Sequence, residues 1–154
     1  MSTDVGLESF EAFASAAEPR LRQALSASLG SVDGADAAAD ALAYGWEHWD
    51  RVSGMENPRG YLYTVGRNLG RRRHQTVRPT LMPVDTSATP WVEPGLPDAL
   101  SRLSENQRVA VMLVHCFQWT LSEVGEFLDV SKSSVQTHLE RGLDRLRNDL
   151  GVTS

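Results

Sequence analysis

Five of the seven prolines of this 154-residue chain fall within one stretch, and this stretch divides the sequence into two parts. Proline has no backbone N–H to donate and its ring clashes with the preceding turn, so it cannot continue a regular helix. Between residues 78 and 97 the apolar residues also lose any regular period. We therefore predict an extended linker over residues 78–97, between an N-terminal domain of residues 1–77 and a C-terminal domain of residues 98–154. The five prolines are Pro79, Pro83, Pro90, Pro94 and Pro97.

Apolar residues on both sides of this stretch recur at steps of three and four, which is typical of amphipathic helices. In the first part this period predicts a helix that Pro19 interrupts, a loop at residues 30–34, and helices over residues 36–49 and 59–75. Residues 51–58, which end in an Asn-Pro pair, are predicted to form a loop. No segment has the two-residue period of a strand worth assigning. The predicted fold class is therefore all-α, with two small helical domains joined by a Pro-rich linker.

A strongly basic block lies in an acidic chain. Residues 57–78 contain six arginines and no acidic residue, whereas the whole chain has a formal net charge of -5. Guanidinium groups next to aromatic rings suit a nucleic-acid strand, since the cations bind phosphates and the rings stack on bases. The arginines could instead form only a solvated helix end, where cations favour the helix dipole. The candidate nucleic-acid contacts of this block are Arg59, Tyr61, Tyr63, Arg67, Arg71, Arg72 and Arg73.

The C-terminal part has the organisation of a helix-turn-helix. Thr120 with Glu123 has the form of a capping box, as Ser104 with Gln107 does earlier, and this predicts a short helix over Leu121–Leu128. A break over residues 129–131 precedes a longer helix, whose start would enter the major groove of DNA. From residue 120 onward there are four basic and six acidic residues, so this segment should bind DNA weakly by itself. The candidate DNA contacts are Lys132, Ser133, Ser134, Gln136, Thr137, His138 and Arg141.

The sequence gives no sign of an enzyme or a metal site. It contains no Gly-rich phosphate loop, no nucleophile elbow and no convincing pair of catalytic acids. Cys116 is the only cysteine, and no Cys/His cluster has the spacing of metal ligands. The N-terminus lacks the pattern of a secretory signal, and no apolar run is long enough to cross a bilayer. We therefore predict a cytoplasmic protein without membrane insertion, catalytic residues, metal or cofactor.

Taken together, these segments resemble a bacterial RNA polymerase sigma factor of the extracytoplasmic-function (sigma-70) class. Residues 57–63 read Asn-Pro-Arg-Gly-Tyr-Leu-Tyr and residues 67–69 read Arg-Asn-Leu, similar to two runs of that family. In the C-terminal part the match includes Leu-Ser-Glu-Asn-Gln-Arg at residues 103–108 and Leu-Ser-Glu-Val at residues 121–124. Near the N-terminus, the residues that match the family's acidic and aromatic pattern are Asp36, Asp40, Leu42 and Trp46.

The resemblance implies a role for each part of the chain. The helix over residues 36–49 would bind RNA polymerase core through the four matching residues. The basic helix, to which the resemblance adds Asn68 as a DNA contact, would open the minus-ten promoter element with the loop before it. The helix-turn-helix would bind the minus-thirty-five element. The resemblance also implies an anti-sigma factor as a regulator, and a monomer when no partner is bound.

Two other classes of protein fit parts of the pattern. The chain could be a stand-alone helix-turn-helix transcriptional regulator, which would bind duplex DNA without polymerase and usually as a dimer. It could also be a sigma-like protein that binds its partners without recognising a promoter. The low positive charge of the last helix keeps this third class open.

Overall fold

The computed structural model describes residues 2–73 and 95–151, and nothing in these ranges is a strand. The predicted all-α class is confirmed. The predicted linker lies outside the described residues except for its last three positions, and so does the predicted helix end at residue 75. The described ranges contain eight α-helices: α1 Ser2–Leu29, α2 Ser31–Glu47, α3 Trp49–Val52, α4 Pro58–Arg73, α5 Leu96–Arg102, α6 Glu105–Val111, α7 Leu121–Leu128 and α8 Lys132–Leu150.

The first two helices correct two predictions. Helix α1 continues through Pro19 without a break, because Pro19 is exposed and the buried residues before and after it, Ala17 and Leu21, keep one face against the core. The predicted loop at residues 30–34 is also wrong. Gly30, with a φ of 99°, is the only residue between α1 and α2, since Ser31 already begins the next helix.

Small residues let α1 and α2 approach closely. The buried residues of α2 are all glycine or alanine, so nothing bulky separates its backbone from that of its neighbours. A Cβ atom on Gly34 would lie 2.4 Å from both the Cα and the nitrogen of Ser26 in α1. The position therefore has no room for any side chain.

Helix α4 completes the N-terminal bundle by packing against both α1 and α2. The short helix α3 begins at the last residue of the predicted helix and continues into the first two residues of the segment predicted as a loop, and a turn then leads to α4 at Pro58. Proline suits this first helical position because its missing N–H would have no partner there. The buried residues that α4 contributes to the core are Leu62 and Tyr63.

The C-terminal half contains the predicted helix-turn-helix. Both predicted capping boxes form, at Ser104 with Gln107 and at Thr120 with Glu123. Helix α6 ends in a π-helical turn, Met112–Cys116, before the chain reaches α7. Helices α7 and α8 meet across the turn after Asp129, where Val124 and Val135 are fully buried. Helix α5 begins at Leu96, one residue before the predicted end of the linker.

The two halves share one hydrophobic core. Leu21 and Leu25 of α1 belong to the same buried cluster as Val109 of α6 and Phe127 of α7. A second, smaller cluster, which includes Leu146, lies within the C-terminal half. Among the described residues no helix is long and apolar enough to cross a membrane.

Candidate nucleic-acid interface

Helix α4 turns its apolar side inward and leaves a polar side outward. Gly66 and Gly70 are buried against α1 and α2, and a Cβ atom on Gly66 would lie 2.8 Å from the Cδ1 of Leu25. This seam packs the apolar side of α4, and its polar residues lie on the remaining sides. Asn68, Arg71 and Arg72 are exposed there, Arg59 and Arg67 are half-buried, and the side chain of Arg73 lies outside the described part.

Tyr61 belongs to a polar aromatic cluster at the start of α4. Its hydroxyl lies 3.2 Å from that of Tyr44, and the guanidinium of Arg51 donates to both hydroxyls, at 3.3 Å and 2.7 Å respectively. The ring of His48 stacks on Tyr44 with centroids 4.1 Å apart. The hydrogen bonds from Tyr44 and Arg51 lower the pKa of Tyr61. The cluster offers stacking faces and one exposed cation, the groups that hold an unpaired nucleotide.

Tyr63 does not lie on this surface. It is 1% exposed and packs edge-on against Phe127 of α7, with ring centroids 6.2 Å apart. Burial raises the pKa of Tyr63, and the nearby Glu105 carboxylate adds to this effect. In the observed arrangement Tyr63 is a core residue that joins the two halves, so it cannot stack on a base.

Two arginines of the basic helix are paired with one carboxylate. The Nε of Arg67 lies 3.2 Å from one carboxylate oxygen of Glu105, and Arg71 donates to the other oxygen. The Arg67 contact is an ion pair by distance, but its Nε is not aligned for a hydrogen bond. The Arg67 side chain is 28% exposed and that of Arg71 is 49% exposed. The structure thus places both on one side of α4, facing α6.

The start of α8 presents a polar surface of its own. Ser131 caps the helix by accepting from the backbone N–H of Ser134 at 3.1 Å. The hydroxyl of Thr137 donates to the carbonyl of Ser133, and Gln136 donates to Glu140 at 3.2 Å. These short-range bonds hold the side chains in place along one helix face. An open depression of about 210 Å³ is lined by Ser133, Ser134, Thr137 and His138.

The remaining predicted contacts of α8 point toward solvent. Lys132, Gln136 and Arg141 are exposed, so this surface carries two cations at most. In a helix-turn-helix the first residues of the second helix read base edges, and amides and hydroxyls are suited to this. The structure therefore leaves the predicted residues of α8 exposed or partly exposed around the first half of this helix, apart from those of α4.

The residues predicted to bind polymerase lie along α2. Asp36 is exposed, Leu42 is half-buried, and Asp40 is partly covered. Trp46 is 42% exposed and lies 5.4 Å from the ring centroid of Phe10 in α1. An exposed tryptophan over a packed aromatic ring offers a large apolar contact area to a partner. In the described ranges no group of three His, Cys, Asp or Glu side chains could hold a metal ion.

Two similarities to known proteins bear on these surfaces. The family described as Sigma-70, region 4 matches residues 95–146, which include α5, α6, α7 and most of α8. The matching segment covers about a third of the chain. Its helix-turn-helix is the α7–α8 pair described above. No curated protein matches the chain significantly in sequence.

The fold of the whole chain resembles that of a solved sigma-factor complex. A chain in the co-crystal structure of the sigma factor RpoE in complex with the anti-sigma factor NepR from Bartonella quintana has a TM-score of 0.68 to this protein. The two chains are 20% identical, and the match covers 96% of this chain and 99% of that chain. At this identity the likeness concerns the fold, and together with the region 4 match over residues 95–146 it agrees with the predicted resemblance to sigma factors.

Three residues of these surfaces were missed from the sequence. Tyr44 and Arg51 complete the cluster around Tyr61, and Glu105 of α6 binds the basic helix. The sequence predicts a loop at Arg51, and it shows Glu105 only as part of a run that resembles the sigma-factor family. Glu105 is separated from Arg71 by 34 residues, and no local pattern reports a pair so distant in sequence.

Proposed function

We propose that this protein is a sigma factor, which binds RNA polymerase core and directs it to promoters. The observation that carries the proposal is a region 4 helix-turn-helix on the same chain as an arginine-rich helix, within a protein of negative net charge. An acidic protein binds bare duplex DNA poorly, because most of such affinity comes from cations that neutralise phosphates. Local basic surfaces then act once polymerase holds the protein next to DNA. Sigma factors are not enzymes, and we propose no chemistry for this chain.

The N-terminal domain, residues 1–77, is proposed to bind and open the minus-ten element. Two features support this role: the outer face of α4 with Asn68, Arg71 and Arg72, and the cluster around Tyr61. Arginines can hold the phosphates of a separated strand, while aromatic faces stack on its bases, at about 1–3 kcal/mol per base. Tyr44 and Arg51 join the candidate contacts for this reason.

The C-terminal domain, residues 98–154, is proposed to bind the minus-thirty-five element with the start of α8. Gln136 can pair with an adenine edge and Arg141 can hold a guanine or a phosphate. The low positive charge of the domain means that polymerase must supply part of the binding free energy. The depression lined by Ser133 and His138 would lie over the groove edge.

Docking on polymerase is proposed for α2, through Asp36, Asp40, Leu42 and Trp46. The RpoE protein of similar fold is in complex with the anti-sigma factor NepR, and we propose that an anti-sigma protein also regulates this chain. Such a protein would compete with polymerase or DNA for the surfaces described above. Its identity is a matter for affinity purification from the source cells.

Substitutions on α8 should change promoter choice more than polymerase binding. Replacing Gln136 or Arg141 with alanine removes one side chain from the groove-facing surface, and each base contact is worth about 1–3 kcal/mol of discrimination. We expect relaxed preference at one position of the upstream element, with core affinity unchanged within about twofold. Sequencing of transcripts from a promoter library measures the preference. Arg147→Ala is the matched control, because Arg147 is exposed at the far end of α8 and pairs with Asp144.

Reconstitution separates the proposed function from the two other classes. Purified protein is mixed with polymerase core and a promoter library, and the starts of the transcripts are sequenced. Specific starts that require the protein support a sigma factor. Tight binding of duplex DNA by the protein alone, with no effect on polymerase, would instead identify a stand-alone regulator. Core binding without specific starts would identify a protein that binds polymerase only.

A further inference from the structure

The first turn of α6, in the C-terminal half, contacts both α1 and α4 of the N-terminal half through Glu105. Besides Arg67 and Arg71, the Glu105 carboxylate accepts a hydrogen bond of 2.7 Å from the Ser28 hydroxyl. Three side chains from α1 and α4 therefore converge on one acidic group. The Glu105 side chain is only 23% exposed, so water screens these charges less than it does on an open surface.

Arg108 fixes the same turn from its other side. Its Nε and Nη2 donate to the carbonyl oxygens of Ala27 and Ser28, both at 2.9 Å. These carbonyls end α1, where the last turn of a helix has unpaired acceptors and partial negative charge. Burial lowers the pKa of Arg108, and the nearby Glu105 carboxylate opposes this effect. The two charged residues of one helical turn thus each bind the N-terminal half.

Aromatic residues form a second set of contacts between the two halves. Phe127 lies between Tyr63 of α4 and Trp119, with ring centroids at 6.2 Å and 4.8 Å. The indole N–H of Trp119 donates to Gln23 of α1 at 2.8 Å, and the guanidinium of Arg20 lies over the indole ring. The halves are therefore joined by a specific interface and not by the covalent chain alone.

This closed arrangement is incompatible with simultaneous binding of two separated promoter elements. Sites centred 25 base pairs apart lie roughly 85 Å apart along B-form DNA, at about 3.4 Å per pair. A compact chain of this length has a radius of gyration of about 15 Å. The two halves must separate before both elements are bound, a step that rests on the proposed function.

We propose that the closed form hides part of its own DNA-binding surface, and that Glu105 is the group that holds it closed. Its carboxylate occupies Arg67 and Arg71 in the way that DNA phosphates would, so carboxylate and phosphate compete for the same two guanidinium groups. Opening the interface releases both arginines and exposes Tyr63. While the interface stays closed, the free protein therefore binds single-stranded DNA less tightly than its arginine content allows.

The isosteric substitution Glu105→Gln tests this directly. It keeps the size of the side chain and the hydrogen bond from Ser28, and it removes the charge that holds the arginines. Glu18→Gln is the matched control, because it makes the same change in net charge at a partly exposed residue, which pairs with Arg22 within α1 and with no residue of the C-terminal half that the structure describes. The probe is a fluorescent 20-nucleotide single strand of mixed sequence, titrated with protein alone at low salt.

We expect Glu105→Gln to bind this strand about fivefold more tightly than Glu18→Gln, a gain of the size that one partly exposed ion-pair network provides. Small-angle scattering should show a larger radius of gyration for Glu105→Gln alone. Equal affinity and equal radius for the two variants would overturn the proposal. Because neither measurement uses polymerase, a failure of the proposed function in transcription assays would leave this result intact, and the reverse also holds.

A charge exchange tests whether the pair itself is responsible. The single variant Arg71→Glu should open the protein, since it places two carboxylates together. The double variant Arg71→Glu with Glu105→Arg should restore the small radius of the wild type. If the double variant stays as open as Arg71→Glu, the proposal that the Glu105 contact holds the closed form is wrong.

Discussion

Replacing Arg71, Arg72 and Arg73 together with alanine should reduce promoter-specific transcription by about 100-fold, while binding to polymerase core changes by no more than about twofold. A 100-fold loss corresponds to about 2.7 kcal/mol, or about 0.9 kcal/mol for each lost cation, which is reasonable for phosphate contacts near a surface. Core binding is proposed for α2, which is another helix, so we expect it not to change. Transcripts from a defined promoter and core affinity are measured on the same protein samples.

The effect of this triple variant is opposed by the contact with Glu105, and this sharpens the test. Loss of Arg71 weakens the closed form, which by itself would favour DNA binding. A net loss of transcription therefore means that the lost contacts to DNA matter more than the easier opening of the closed form. The salt dependence of single-strand binding should also become shallower, by about 0.7 in slope for each phosphate contact removed.

The control for this prediction removes equal charge elsewhere. Arg22, Arg102 and Arg147 are exposed arginines outside α4, and their combined replacement with alanine leaves the basic helix unchanged. This control variant should keep transcription within about threefold of the wild type. An equal loss in both triple variants would show that net charge matters and the position on α4 does not. A loss of core binding in the first variant would assign its arginines to polymerase instead.

Helix ends that depend on contacts between neighbouring residues are the features that the sequence predicts best. The helix of residues Leu121–Leu128 was predicted with the bounds that the structure has, because a Thr-x-x-Glu box marks its start and the turn at Asp129 follows its end. The capping box at Ser104 was predicted for the same reason. In each case all the interacting groups lie within four residues, so the pattern is written in one short run of sequence.

Tertiary packing overrode the local pattern in the first half of the chain. Pro19 and Gly34 are both helix breakers by propensity, yet each lies inside a helix. At Pro19 the ring faces solvent, and the buried face of α1 continues past it. At Gly34 the absence of a side chain is what allows α2 to approach α1. A single sequence cannot tell a glycine that ends a helix from one that permits a close contact.

The candidate DNA surfaces were only partly predictable. The arginines of α4 were identified from composition, because six cations without an acid stand out in an acidic chain. Tyr63 was grouped with them by its position in the sequence, whereas the structure buries it against Phe127. The spacing of Tyr61 and Tyr63, two residues apart on a helix, places them on different faces. Which face is buried depends on contacts with the C-terminal half, such as that of Tyr63 with Phe127, and these contacts leave no pattern in the local sequence.

The substitution Gly34→Ala should destabilise the protein by about 2 kcal/mol. The new Cβ atom would lie 2.4 Å from backbone atoms of Ser26, which cannot move aside as the end of a flexible side chain can. Forcing an extra carbon into a packed contact costs about 1–3 kcal/mol or more. Alanine is a better helix former than glycine by about 1 kcal/mol, and this gain only partly offsets the clash. The midpoint of urea unfolding, followed by circular dichroism, measures the difference in free energy.

Gly6→Ala is the matched control, since it makes the same chemical change inside a helix where, among the described residues, nothing beyond the helix's own neighbouring backbone lies within 4 Å of the new carbon. There the helix propensity should act alone and raise stability by up to about 1 kcal/mol. The two variants should therefore shift the urea midpoint in opposite directions. If Gly34→Ala instead stabilised the protein as Gly6→Ala does, α1 and α2 would not be in contact at Ser26. The position of α4 and its arginines, which pack on this helix pair, would then need revision.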